Sequence, residues 1–175
     1  MDGTLGGQLL VATPLLIDPN FWRSVVLILQ HDDDGSLGLV LNRPTIQRVE
    51  THIPVWGPLA AKPGTVHLGG PVEPSVAIGL ATGQGGEPTG VPGLSIVDLE
   101  AAPGERTSAV RIYSGYAGWG QGQLETEIAE GSWYVVPASP DDPFDRPEGQ
   151  WSRILRRQTG HLALVSTFPD DVDLN

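Results

Sequence analysis

Two arginines, a serine and an asparagine carry the sharpest chemistry in this chain: Arg23, Ser24, Asn42 and Arg43. They bracket two strand-length apolar runs, Val25-Val26-Leu27-Ile28-Leu29-Gln30 and Leu37-Gly38-Leu39-Val40-Leu41-Asn42, separated by His31-Asp32-Asp33-Asp34-Gly35-Ser36. The pattern predicts a β-hairpin. Placing Gln30 beside Leu37 keeps the sum of paired positions near 67, so Ser24 falls near Arg43 and Arg23 near Pro44. Both strands are almost continuously apolar, which predicts burial on both faces and makes the polar mouth conspicuous. Two guanidiniums side by side repel unless an anion lies between them, and the arginine fork suits carboxylate or phosphate. Either a small anionic ligand fills that place, or Glu73 or Glu125 supplies the carboxylate from within the fold. The same pair also suits a protein partner, because arginine and tryptophan are favoured anchors at interfaces.

A second constellation lies in residues 110–133. A β-branched run, Val110-Arg111-Ile112-Tyr113, meets the glycine stretch Ser114-Gly115-Tyr116-Ala117-Gly118-Trp119-Gly120-Gln121-Gly122 and then Gln123-Leu124-Glu125-Thr126-Glu127-Ile128. It reads as strand, loop, helix. The glycines let a loop take positive φ or approach another backbone closely, and Tyr116 and Trp119 are large enough to pack there. A glycine loop before a helix aims backbone N–H groups at an anion. The spacing matches neither nucleotide fingerprint, since the sixth position from Gly118 is Gln123, that from Gly120 is Glu125, and no Gly-Lys-Ser/Thr follows. Two readings stand. Tyr116, Gly118, Trp119, Gly120, Gln121, Gln123 and Glu125 form a ligand- or partner-binding turn, or the glycines serve tight packing around the two aromatics. Gly69 and Gly70, in a tight turn with Pro71, complete the candidate binding set.

Other chemistries find little support. His31, His52, His67 and His161 show no metal-ligand spacing, and Asp32-Asp33-Asp34-Gly35 lacks the order and the later glutamate of a calcium loop. There is no cysteine and no Gly-x-Ser-x-Gly elbow. Ser24 has only His31 nearby, seven residues along a strand and so about 23 Å away in extended chain. No catalytic residue, metal or cofactor is therefore assigned, and the reading leans away from an enzyme.

These groups must be positioned by 175 residues, 39% of them hydrophobic, enough for a single domain over 1–175 that buries about two-thirds of its unfolded surface. The net charge of 10 − 21 = −11, with no basic cluster, weighs against direct reading of nucleic acid. The N-terminus lacks a signal-peptide pattern and no apolar run approaches a membrane span, so no membrane association is expected. With no cysteine, a cytoplasmic location is expected. Glycine (23) and proline (16) predict short strands and many tight turns. Strands are expected over 8–13, 65–68, 94–97 and 133–136, with 76–81 as the partner of 65–68 and 161–168 as a last strand. A short helix is expected over 47–52, a second from 123 to a stop at Gly131, and a third entered through Asp145 and Glu148 and running to about Gly160. Residues 82–92 read as a mobile loop and 169–175 as an acidic tail.

Five segments, taken in order, resemble the motifs of the YqgE/AlgH family of small bacterial proteins. They are Leu9-Leu10-Val11-Ala12-Thr13-Pro14; Asp18-Pro19-Asn20-Phe21 with Arg23-Ser24-Val25-Val26; Gly38-Leu39-Val40-Leu41-Asn42-Arg43-Pro44; Gly69-Gly70-Pro71-Val72; and residues 115–125. The resemblance implies an α+β fold, a mostly antiparallel, bifurcated sheet curled into a pseudo-barrel with a few outer helices. Many members end in a helix followed by Gly-His-Ala, whereas this chain ends Val172-Asp173-Leu174-Asn175. The family's role is largely uncharacterised, and its label as a transcriptional regulator comes without a DNA-reading motif. The expected function is a non-catalytic module that binds a small anionic ligand or a partner's carboxylate. The alternatives are a regulatory protein-interaction adaptor and an enzyme of unknown reaction, which would need a base and a nucleophile brought together by the fold.

Overall fold

The two apolar runs form the predicted hairpin, β2 (Val25–Asp32) and β3 (Gly35–Val40), in a computed structural model that describes residues 4–83 and 85–169. The expected acidic tail, apart from Pro169, lies outside the described residues. Near the turn the pairing has the expected sum: Gln30 faces Leu37, His31 faces Ser36 and Asp32 faces Gly35. A bulge at Leu29 then changes the register, so that Ile28 faces Gly38 and Val26 faces Val40. One extra residue on the bulged strand shifts everything beyond it by one. The mouth is therefore displaced by one position from the sequence expectation.

β1 (Gln8–Ala12) lies between β2 and the edge strand β10 (Trp133–Pro137), antiparallel to both. On the other side of the hairpin runs β9 (Thr107–Gly120), where the sheet forks. Ala117 to Gly120 pair with β3, whereas Tyr113 and Ser114 pair in parallel with His67 and Leu68 of β5 (Thr65–Leu68). Along its other edge β9 pairs antiparallel with β6 (Val72–Gly83). β8 (Leu94–Val97) and the two-residue β7 (Glu87–Pro88) extend the sheet beyond β6, and β4 (Pro44–Arg48) pairs with β5. The result is a mostly antiparallel sheet curled into a half-barrel with a few helices.

Gly69 and Gly70 occupy the fork. The Gly69 N–H donates to the Ser114 carbonyl and the Gly69 carbonyl accepts from Val40, both at 2.8 Å. A Cβ on Gly69 would lie 2.3 Å from the Gly115 carbonyl oxygen, and Gly115 itself has φ of 71°. Only side-chain-free backbone fits so closely, and the left-handed conformation at Gly115 is one that glycine adopts without steric cost.

Other sequence expectations are corrected as well. The stretch 114–120 is not a loop but the second half of β9, because its glycines allow close strand approach rather than a turn. Residues 76–81 do not pair with 65–68; β9 lies between them. Residues 161–168 contain not a strand but a short helix, α4 (His161–Val165), with Leu162 and Val165 directed at the core and Leu164 exposed. The segment expected as a loop at 82–92 contains β7 and a buried Thr89, whose hydroxyl donates to the Leu94 carbonyl at 2.9 Å.

The first strands are covered on both faces. α2 (Gln123–Ala129) sets Leu124 and Ile128 against Leu10, Val26, Ile28, Trp119 and Trp133. On the opposite face α3 (Gln150–Arg156) and α4 bury Trp151, Ile154, Leu155 and Val165 with Leu9, Leu27, Leu39 and Tyr113. α3 begins after Gly149 rather than at Asp145, whose carboxylate instead pairs with Arg153 at 3.0 Å. A third cluster joins Val66, Ala81, Val110 and Ile112 to α1 (Val49–His52) and Trp56 of the following 3-10 turn, Pro54–Leu59. Among the described residues no helix is long and apolar enough to cross a membrane.

Candidate anion-binding site

Arg43 follows β3 and leans over the segment that enters β2. Its Nη2 donates to the Trp22 carbonyl and its Nη1 to the Asn42 carbonyl, the latter at 3.4 Å. Burial pushes the guanidinium pKa below its ordinary value. Among the described residues no carboxylate pairs with it. Arg43 lines a hollow of about 100 Å3 with Pro19, Asn20, Val40, Leu68, Gly70 and Pro71. Three of the five segments that carry the family resemblance, those around 18–21, 38–44 and 69–72, thus meet at one place.

Asn42 builds the mouth. Its Oδ1 accepts the Val25 N–H at 3.0 Å and its Nδ2 donates to the Arg23 carbonyl at 2.9 Å, so one side chain bridges the two strand ends where the ladder stops. Ser24 is fully buried and its hydroxyl has no hydrogen-bond partner, which removes it from any surface chemistry. Arg23 is directed to different partners from Arg43. Its Nη2 donates to the Phe168 and Pro169 carbonyls at 2.8 and 2.6 Å, and its guanidinium carbon stands 4.2 Å from the centroid of the Trp151 ring. No anion is needed between the two arginines, because each guanidinium has its own set of acceptors. Neither candidate internal acid serves Arg43: Glu73 accepts the Tyr116 hydroxyl at 3.0 Å and Glu125 lies 3.2 Å from His31.

The glycine stretch does not line the hollow. Gly70 lines the hollow and backs onto the Tyr116 carbonyl. Gly118, Gly120, Gln121, Gln123 and Glu125 do not line it; β9 carries them to the hairpin tip, where Gly120 faces Gly35. There the Gly120 N–H donates to Gln123 Oε1 at 3.0 Å. Trp119 is in the core, packed at a tilt against Phe21 and edge-on against Trp133, with ring centroids 6.2 Å away from each. The Trp119 and Trp133 indoles lower the pKa of Glu127, but its burial outweighs them and raises it. Trp119 is thus placed in the core and does not line the hollow. Pro19 and Asn20 were not among the candidate site residues; their nearness to Arg43 follows from their segment crossing in front of the hairpin mouth, which a local pattern does not encode. Among the described residues no group of three or more His, Asp or Glu side chains is placed to hold a metal ion.

The AlgH-like family pattern matches residues 9–163. A UPF0301 protein of Streptomyces coelicolor is 52% identical over 187 residues, covering 98% of this chain and 96% of the relative. One from Mycobacterium tuberculosis is 45% identical over 181 residues, covering 97% and 90%. The crystal structure of a protein from Corynebacterium diphtheriae superposes with a TM-score of 0.84 at 33% identity, covering 93% of this chain and 91% of that one. The solution structure of the AlgH protein from Pseudomonas aeruginosa gives 0.68 at 26% identity, covering 98% of both. Sequence over nearly the whole length and the forked sheet agree: the chain belongs to the AlgH-like family, whose biochemical role is uncharacterised.

Proposed function

We propose that this protein is a binding module whose Arg43 hollow receives one anionic group, a carboxylate presented by a partner. The observation that carries this reading is a half-buried guanidinium facing a hollow, bonded to neutral carbonyls and without a carboxylate among the described residues. Hydrogen bonds between ions of opposite charge are roughly twice as strong as neutral ones, so a carboxylate entering here gains more than the water it displaces. Size decides the class of ligand. A hollow of about 100 Å3 is well below the roughly 300–1,000 Å3 of sites that enclose a whole small molecule, and it suits a single carboxylate or phosphate group. Leu68, which lines the hollow, and Trp22, whose carbonyl accepts from Arg43, are exposed, and arginine beside exposed apolar groups is the composition of a protein anchor. A regulatory adaptor would use the same surface, and the absence of cysteine is in keeping with a cytoplasmic setting.

The test is an amide NMR titration with acetate and, separately, inorganic phosphate, on wild type and Arg43→Gln. Saturable shifts at Asn20, Val40 and Gly70 that vanish in the variant are expected. Equal responses in the two proteins, or no response in wild type, would refute the reading.

A further inference from the structure

At the end of the hairpin away from Arg43, three side chains form a hydrogen-bonded chain. Ser36 Oγ lies 2.7 Å from His31 Nδ1, and His31 Nε2 lies 3.2 Å from Glu125 Oε1. Each comes from a different element. His31 and Ser36 face each other across β2 and β3, Ser36 faces Trp119 of β9 on its other side, and α2, which follows β9 after Gln121 and Gly122, carries Glu125. The histidine side chain is only 9% exposed, so the ring is held in place, whereas the glutamate side chain is 52% exposed.

One tautomer satisfies both contacts. Nε2–H donates to the carboxylate, which leaves the Nδ1 lone pair to accept the Ser36 hydroxyl proton. The order hydroxyl, imidazole, carboxylate is the arrangement that activates a serine, here with the two ring nitrogens exchanged relative to the commonest form. We propose that Ser36 is a nucleophile for acyl transfer, with His31 as its base and Glu125 as the positioning residue for the ring.

The surroundings select the substrate. Gly35 and Gly120 face each other next to Ser36 and carry no side chains, and Ser36 itself is only partly buried, which leaves room for a small acyl group. Asp32, Asp33 and Asp34 stand exposed in the adjoining turn, and with Glu125 they disfavour an anionic substrate. A small, uncharged acyl ester fits. In the first step Ser36 Oγ bonds to the acyl carbon while its proton passes to His31 Nδ1; the ester C–O bond then breaks and the departing alcohol oxygen takes that proton. In the second, water attacks the same carbon and gives a proton to Nδ1, and Ser36 Oγ leaves with that proton as the free acid forms.

The experiment uses the intact chain with a fluorophosphonate label and with p-nitrophenyl acetate. Mass spectrometry is expected to place the phosphonyl adduct on Ser36, and Ser36→Ala, confirmed folded by its melting temperature, is expected to lose both the adduct and ester turnover. His31→Gln should slow labelling by about 10²–10⁴-fold, the range for a general base. Glu125→Gln should lower kcat for the ester with KM unchanged, a split that a merely structural contact would not give. An unlabelled Ser36 in folded wild type, a label on another residue, or turnover undiminished in Ser36→Ala would each overturn the proposal.

Discussion

The clearest quantitative consequence of the fold concerns His67, which β5 places beside Tyr113 of β9 with no exposure to solvent. Its Nδ1 lies 3.2 Å from the Thr65 carbonyl, its ring meets Tyr113 edge-on at 6.1 Å, and Nε2 has no hydrogen-bond partner. Burial, and after it the positive charge of Arg111, pushes the imidazole pKa from 6.5 down to about 4. The folded value lies below the unfolded one, so between those two pH values the unfolded chain binds a proton that the folded chain excludes. Stability is then fully present above about pH 6.5 and falls as pH drops through that window. Linkage gives a loss of about 2 kcal/mol between pH 8 and pH 5, or roughly 4–8 °C in melting temperature for a chain of this size. The assay is urea unfolding at pH 8, 7, 6 and 5 on wild type and His67→Leu. The carboxylates titrate in both proteins, so the difference isolates His67. The variant is expected to be less stable at pH 8 by about 1 kcal/mol, having lost the bond to Thr65, and the difference is expected to shift by about 2 kcal/mol in its favour at pH 5, where it becomes the more stable protein. Parallel pH profiles would refute the reasoning.

Two further predictions follow from the packing around the hairpin. Asn42→Ala removes the bridge between the Val25 N–H and the Arg23 carbonyl, and it should cost about 2–3 kcal/mol, read as a lower urea midpoint at unchanged slope. Trp119→Ala opens a cavity against Phe21 and Trp133 and should cost about 3–5 kcal/mol by thermal unfolding. Any partner lost on that change reports the fold rather than a contact, so Arg43→Gln is the variant for partner capture.

How far the sequence could be read depends on the range of the interaction. The hairpin was legible because its apolar runs and acidic turn lie within 18 consecutive residues, Val25 to Asn42. α2 was legible because Leu124 and Ile128 lie four apart on one face and Gly131 follows. The expected sum of 67 also sets His31 opposite Ser36, so half of the Ser36 constellation was implicit in the register. Glu125 was not, since it arrives there only because β9 pairs with β3. The glycine stretch misled for a physical reason: glycine marks both turns and close backbone approach, and the choice between them is made by Gly69 and Gly70, more than forty residues earlier in the chain.

Sequence pattern by itself determined an apolar core and the hairpin, and its motif residues carried the family resemblance, whereas β6 and β9, of 12 and 14 residues, are longer than the glycine and proline content predicts. Tertiary structure alone decided that Arg23 turns to the C-terminal segment while Arg43 faces a hollow, and that Trp119 is core. The reason is that side-chain pattern reports which face is buried, whereas the partner of a polar group is whatever the fork in the sheet brings within about 3 Å, the range of a hydrogen bond.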